Sequence, residues 1–107
     1  MIPITETQLV GWAIEYLLRK GHFVWRNNTG ARPWKDREGN DRMMRFGKVG
    51  SADILGIHKA DGKLIAVECK VGKGKLRPEQ KEFLDEVERR GGYAHVIYTP
   101  EDLMRVL

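Results

Sequence analysis

Apolar residues recur at helical spacing near the start of the chain. Leu9, Ala13, Tyr16 and Leu17 fall on one face, with Trp12 beside them. Thr5-Glu6-Thr7-Gln8 before them has the form of a capping box, and Lys20-Gly21 after them supplies a helix stop. His22–Arg26 then reads as a short strand. Farther on, Ile54-Leu55-Gly56-Ile57 and Leu64-Ile65-Ala66-Val67 are short, β-branched apolar runs of the kind a buried strand needs. Asp61-Gly62 between them is a strong hairpin turn, so the two strands pair antiparallel. Pro78 opens a second helix with the stripe Phe83, Leu84 and Val87, ending at Arg90-Gly91-Gly92. Tyr93–Tyr98 is a last strand, reached through a helix and therefore free to run parallel to its neighbour. Thr99-Pro100-Glu101-Asp102 caps a short terminal helix, whose Leu103, Val106 and Leu107 pack back or meet another subunit. The order α-β-β-β-α-β-α predicts an α/β fold, a mixed β-sheet flanked by helices, in one domain spanning 1–107.

The informative residues are the polar ones that interrupt this pattern. The strand Leu64–Lys70 ends in Glu68-Cys69-Lys70. Strand side chains alternate, so Glu68 and Lys70 point one way with Leu64 and Ala66, while Cys69 points the other way with Ile65 and Val67. Taken alone, that is as readily a strand-end ion pair as a site. Asp53 opens the other arm of the hairpin, and pairing about a turn near Asp61 brings it opposite Glu68 within a residue. Two carboxylates placed together repel, and a divalent cation with oxygen ligands is the natural remedy. Gln80 lies three, four and seven residues before Phe83, Leu84 and Val87. It therefore sits on the buried face of its helix, toward Glu68 or as a core-edge amide. Glu6 begins the buried face of the first helix, where it serves the same site or merely complements the helix dipole.

Charge adds a polyanionic partner to the picture. The 107 residues carry a net charge of +4 with 19 basic and 15 acidic side chains, a lean toward nucleic acid. Between Asn27 and Lys48 lie Arg32, Lys35, Arg37, Arg42, Arg45 and Lys48, with Trp34 and Phe46 interleaved and Glu38-Gly39-Asn40-Asp41 forming the turn of a hairpin or long loop. Bases among planar aromatics suit a phosphate backbone and exposed nucleobases. Val71–Lys75 is a second basic loop. The N-terminus from Met1 to Glu6 lacks the basic start and apolar block of a leader, and no run is long enough for a membrane span. The single cysteine fits a reducing, cytoplasmic setting. His22, His58 and His95 follow no zinc spacing. Neither Ser51 nor Cys69 has an evident base to make it a nucleophile.

Asp53, Glu68-x-Lys70 and an inward Gln80 together resemble the PD-(D/E)xK nuclease superfamily, whose fold is restriction-endonuclease-like. More closely, the chain resembles the virus-type replication-repair nuclease group, the VRR-NUC domains. The likeness runs through Glu6, Arg26-Asn27-Asn28-Thr29-Gly30, Gly50-Ser51-Ala52-Asp53, Val67-Glu68-Cys69-Lys70 and Gln80. Ala52 departs from the pattern, standing where the superfamily has proline. The resemblance implies hydrolysis of DNA phosphodiesters with Mg²⁺ or Mn²⁺. Asp53, Glu68 and the backbone carbonyl of Cys69 would hold the metal. Lys70 would orient or deprotonate water, or stabilise developing charge, while Gln80 and Glu6 assist. Arg26, Asn28, Arg32, Lys35, Arg37, Lys73 and Lys75 would contact DNA. It further implies a homodimer acting on branched DNA such as four-way junctions in replication or repair, in a bacterial or phage-infected cell. Three rivals remain at this point: a monomeric flap or nicking nuclease, a catalytically inactive nucleic-acid-binding module, and a small interaction protein in which Asp53, Glu68 and Lys70 form a salt-bridge network.

Overall fold

A computed structural model describes residues 4–107; Met1–Pro3, part of the N-terminal stretch read above, lie outside the described residues. The elements in chain order are α1 (Glu6–Arg19), β1 (Phe23–Arg26), β2 (Gly30–Lys35), β3 (Asp41–Phe46), β4 (Ile54–Ile57), β5 (Leu64–Cys69), α2 (Pro78–Arg89), β6 (Tyr93–Ile97) and α3 (Pro100–Val106). Apart from β2 and β3, this is the expected order. The segment read as a hairpin or long loop is an independent antiparallel ribbon, in register from Gly30↔Phe46 to Lys35↔Asp41. Asp36 closes its turn by accepting side-chain hydrogen bonds from the backbone N–H of Glu38 and Asn40, an Asx arrangement that reinforces the backbone bonds from Asp36 N–H to Asn40 and from Gly39 N–H to Asp36 at the bend. No helix among the described residues is long and apolar enough to cross a membrane.

The central sheet has the order β1-β4-β5-β6. β1 and β4, and β4 and β5, are antiparallel, whereas β5 and β6 are parallel and joined through α2. One face is closed by α1 and α3. Thr5 caps α1 by the reciprocal bonds expected of it, its hydroxyl accepting from Gln8 N–H while Gln8 Oε1 accepts from Thr5 N–H. The helix turns Leu9, Val10, Ala13 and Leu17 onto Val24, Ile54, Ile65, Val67, Cys69 and Ile97. Val10 joins this core in addition to the expected positions, while Tyr16, expected on the same face, is only partly covered. α3 contributes Leu103, fully buried, and Leu107 follows it into the core. These two are therefore core residues, and of the three C-terminal apolar side chains only Val106 is exposed. The opposite face has a smaller apolar cluster under α2, made of Ala52, Ala66, Leu84 and Val87.

The ribbon stands apart from both layers. All twelve of its strand residues are exposed. The Cα radius of gyration is 15.9 Å, against about 13 Å for a compact chain of this length. The difference is the signature of a protruding arm.

Candidate active site

The antiparallel register of β4 and β5 pairs Ile54 with Val67, and one further step along it puts Asp53 opposite Glu68. The alternation expected for β5 is realised. Ile65, Val67 and Cys69 enter the core under α1, while Ala66 packs under α2, the side from which Glu68 meets Gln80. Asp53 is held from two directions. Its Oδ2 accepts a hydrogen bond from the backbone N–H of Cys69 at 2.8 Å. Its backbone carbonyl accepts from the N–H of Asn27 at 2.7 Å.

Asn27 does more than this single bond. Its side-chain amide donates to Ser51 Oγ at 2.6 Å and to the Ala52 carbonyl at 2.9 Å, fixing the run that delivers Asp53. The sequence placed Asn27 in a suggestive string but gave it no role. The available signal was an asparagine just past a strand, with two amide donors to spend on a neighbouring turn. Gly50 completes this support. Its φ is +83°, and a Cβ there would stand 2.4 Å from the carbonyl oxygen of Glu79. Only glycine lets the Asp53 loop close onto the first turn of α2.

Glu68 is 2% exposed. Burial first, and then the adjoining Asp53 carboxylate, raise its pKa to about 8, with Lys70 pulling the other way. Glu68 Oε1 lies 4.0 Å from Lys70 Nζ and receives a long hydrogen bond, 3.5 Å, from Gln80 Nε2. Gln80 is buried, and its Oε1 accepts from the backbone N–H of Arg77 at 2.9 Å. That bond fixes the amide so that its NH₂ faces the carboxylate. Glu68 Oε2 has no hydrogen-bond partner although it is fully buried. An unpartnered buried acceptor costs free energy, so this oxygen is set for a ligand.

Glu6, exposed at the start of α1, brings a third carboxylate. One oxygen each of Glu6, Asp53 and Glu68 lies within 4.8 Å of the others. Three hard oxygen donors around an orphaned acceptor fit a divalent cation of the Mg²⁺ or Mn²⁺ type. The Cys69 thiol does not belong to this set. It is buried among apolar side chains on the other face, and burial pushes its pKa upward. Any contribution from Cys69 is confined to its backbone.

The seven residues expected to meet DNA do not form one surface. Arg26 ends β1, and Asn28 follows in the link to the ribbon. Lys73 and Lys75 lie in the exposed loop after Lys70, which Tyr98 steadies by donating its hydroxyl to the Gly74 carbonyl. Arg32 and Lys35 are on opposite faces of the ribbon. Lys35 is engaged by Asp41 at 2.8 Å, and Arg37 sits in the ribbon turn. The basic residues thus divide between the end of β1 and the loop after β5 on one hand and the arm on the other. His22 and His58, remote in sequence, lie with ring centroids 4.4 Å apart in a tilted arrangement, and His58 stacks on Tyr93. His22 Nδ1 accepts from Lys59 N–H and His58 Nδ1 from Ala60 N–H, so the cluster is tied into the β4–β5 turn, away from the carboxylates.

A search of curated proteins found no match to this chain. The family model of the VRR-NUC domain matches residues 11–100, a span that contains Asp53, Glu68, Lys70 and Gln80 and begins just after Glu6. That match covers most of the molecule and agrees with a mixed sheet whose hairpin carries the paired carboxylates: the chain belongs to the VRR-NUC domain family, and is a nuclease domain.

Proposed function

We infer that this domain is a structure-specific DNA endonuclease, dependent on Mg²⁺ or Mn²⁺, that cuts branched DNA such as four-way junctions as a pair of copies in replication or repair. The observation that carries the metal-dependent chemistry is the unpartnered, buried Glu68 Oε2 within a trio of converging carboxylates. When bound, the metal supplies Lewis-acid polarisation of the scissile phosphate and lowers the pKa of a water molecule.

The side chains do the rest. Asp53 and Glu68 present oxygens from two adjacent strands, and Asn27 and the Cys69 N–H keep the Asp53 carboxylate in place. Lys70, largely covered and beside Glu68, puts a positive charge where a pentacovalent phosphate gathers negative charge, or holds the attacking water by hydrogen bonds. Gln80 limits the motion of Glu68 and leaves one amide hydrogen for a water or phosphate oxygen. Arg26 at the end of β1 and Lys73 and Lys75 in the loop after Lys70 meet the phosphodiester backbone, while Arg32 and Arg37 extend the contact along the arm.

The test compares a four-way junction with its matched linear duplex, with Mg²⁺, Mn²⁺ or chelator, for the wild type and Asp53→Asn. The amide keeps an acceptor for Cys69 N–H and removes only the charge. Metal-dependent paired cuts in the junction, absent in the variant, are expected. Equal cutting of both substrates would remove branch specificity, and binding without cleavage under either metal would make the domain an inactive binding module.

A further inference from the structure

The free-standing ribbon has two unlike faces. Its register sets Trp34 opposite Arg42, Arg32 opposite Met44 and Gly30 opposite Phe46, so these six share one face from tip to root. The other face carries the Lys35–Asp41 ion pair with Met43 and Arg45. On the first face Trp34 is 48% exposed, Met44 55% and Phe46 42%. The Phe46 ring covers Gly30, where a Cβ would stand 2.9 Å from Phe46 Cζ, and an aromatic ring laid over a strand glycine stiffens the ribbon there. Arg42 is held in place by Asp36, Nε to Oδ2 at 3.0 Å. Both roots of the ribbon are tied to the run that delivers Asp53. Asn27, shortly before β2, bonds to Ser51, Ala52 and Asp53. Gly47, just after β3, has φ +75°, and a Cβ on it would lie 2.6 Å from the Asn28 carbonyl oxygen, so only glycine lets the two roots close together.

We propose that this face is a base-stacking wedge that enters DNA at a branch, Trp34 lying on the base face exposed there while Arg32 and Arg42 meet the flanking phosphates. The inference deepens the proposed function and rests on its branched DNA substrate. Charge selects the occupant. Arg32 and Arg42 are the charged groups of this face, and the acids of the arm lie elsewhere: Asp36 and Glu38 in the turn, Asp41 on the opposite face against Lys35. Two such faces brought together by a two-fold axis would set guanidinium against guanidinium, so a second copy is disfavoured where a polyanion is drawn in. The face of β1 and β4 that α2 leaves open is the contrast, since Phe23, Trp25 and Ile57 are exposed there with no charge among them. The apolar members then select base faces over the sugar-phosphate backbone. An indole gains from a flat π surface, and a continuous duplex hides its base faces inside the stack. They open where stacking stops, as at a junction or flap, and apolar side chains inserted between base steps hold such a kink. A two-stranded ribbon is narrow enough to enter a major groove.

Binding measured in chelator tests the assignment without any cleavage, so the wedge and the nuclease reading fail separately. The probes are a four-way junction carrying 2-aminopurine at the branch and its matched linear duplex. The wild type is expected to bind the junction more tightly and to change the 2-aminopurine emission. Trp34→Ala should weaken junction binding about 5- to 150-fold, leave duplex binding near the wild-type value and abolish the emission change. Trp34→Phe, which keeps a ring, should restore much of both. Met43→Ala, a similarly exposed apolar residue on the opposite face, should match the wild type on both DNAs, and all variants should keep its circular dichroism spectrum. Trp34→Ala that weakens both DNAs alike, or neither, overturns the wedge and leaves the metal-dependent nuclease standing. A wild type with no junction preference, or with unchanged emission when bound, does the same. A wild type that binds neither DNA overturns the wedge and the DNA substrate together. If Trp34→Ala instead halves the mass in light scattering, the face belongs to a second copy and the wedge is overturned.

Discussion

The two faces of the central sheet carry different loads. Under α1 and α3 the contacts are apolar throughout, with Leu9, Ala13, Leu17, Ile54, Ile65, Val67, Cys69 and Leu103 at 0% exposure. Under α2 the apolar cluster is small, and Glu68 and Gln80 are buried at its end. A buried carboxylate with a free oxygen is destabilising, and a domain of 107 residues has little stability to spare. The closed face supplies the cohesion that lets the other hold an unsatisfied, ionisable group.

The sharpest contrast should come from charge removal against volume removal. Asp53→Asn or Lys70→Ala, on the site side, is expected to lower single-turnover cleavage by about 10²–10⁴-fold or more while the melting temperature stays near that of the wild type. A Lys70→Ala enzyme with full activity would remove Lys70 from the mechanism. Ile65→Ala, on the closed face, should do the reverse: a loss of about 2–5 kcal/mol in urea unfolding with near-normal cleavage by the folded fraction. If Ile65→Ala proved harmless to stability, the division of labour between the faces would fail.

Glu68 gives a pH test of the same contrast. Its folded pKa, about 8, is above its ordinary value, so the folded state binds the extra proton. Stability from this group is present below the unfolded pKa and is lost as pH rises through about 8. Thermal melts in chelator should fall across that window, and Glu68→Gln should flatten the fall. Added Mg²⁺ should restore stability at the alkaline end, where the carboxylate is ionised. A flat wild-type profile would contradict the burial argument.

The arm offers a smaller effect. Neutralising Arg32, Lys35 and Arg37 together should reduce the salt slope of DNA binding by about two to three, with the lower figure expected because Asp41 already engages Lys35. An unchanged slope would mean that the DNA runs past Arg26, Lys73 and Lys75 alone. Smallest is the turn cluster. Burial, aided by nearby His58, holds the His22 pKa below its usual value. Acidification below the unfolded value therefore costs stability, and His22→Asn should lessen that loss in melts between neutral and mildly acidic pH.

The sequence by itself determined most of the elements and the meeting of Asp53, Glu68, Lys70 and Gln80 at the candidate site. Period and punctuation are local properties. Thr5–Gln8, Asp61-Gly62 and Pro78 marked boundaries because caps and turns depend on a few adjacent dihedrals, and strict alternation in β5 placed Glu68 and Cys69 on opposite faces. Equal spacing about the hairpin was enough to bring Asp53 to Glu68. What the tertiary structure alone decided is whatever depends on how elements sit beside one another. The closeness of Glu6, the clamp of Asn27 on Ser51 and Ala52, and the contact that requires Gly50 all join segments far apart in the chain. The ribbon's separation from the sheet was equally hidden, since alternating bases and aromatics look alike in a loop and in a free-standing hairpin. The open face of β1 and β4 was hidden for the deepest reason. Phe23, Trp25 and Ile57 carry the hydrophobicity of core residues, and only the placement of α2 over the other half of the sheet shows that this chain does not bury them.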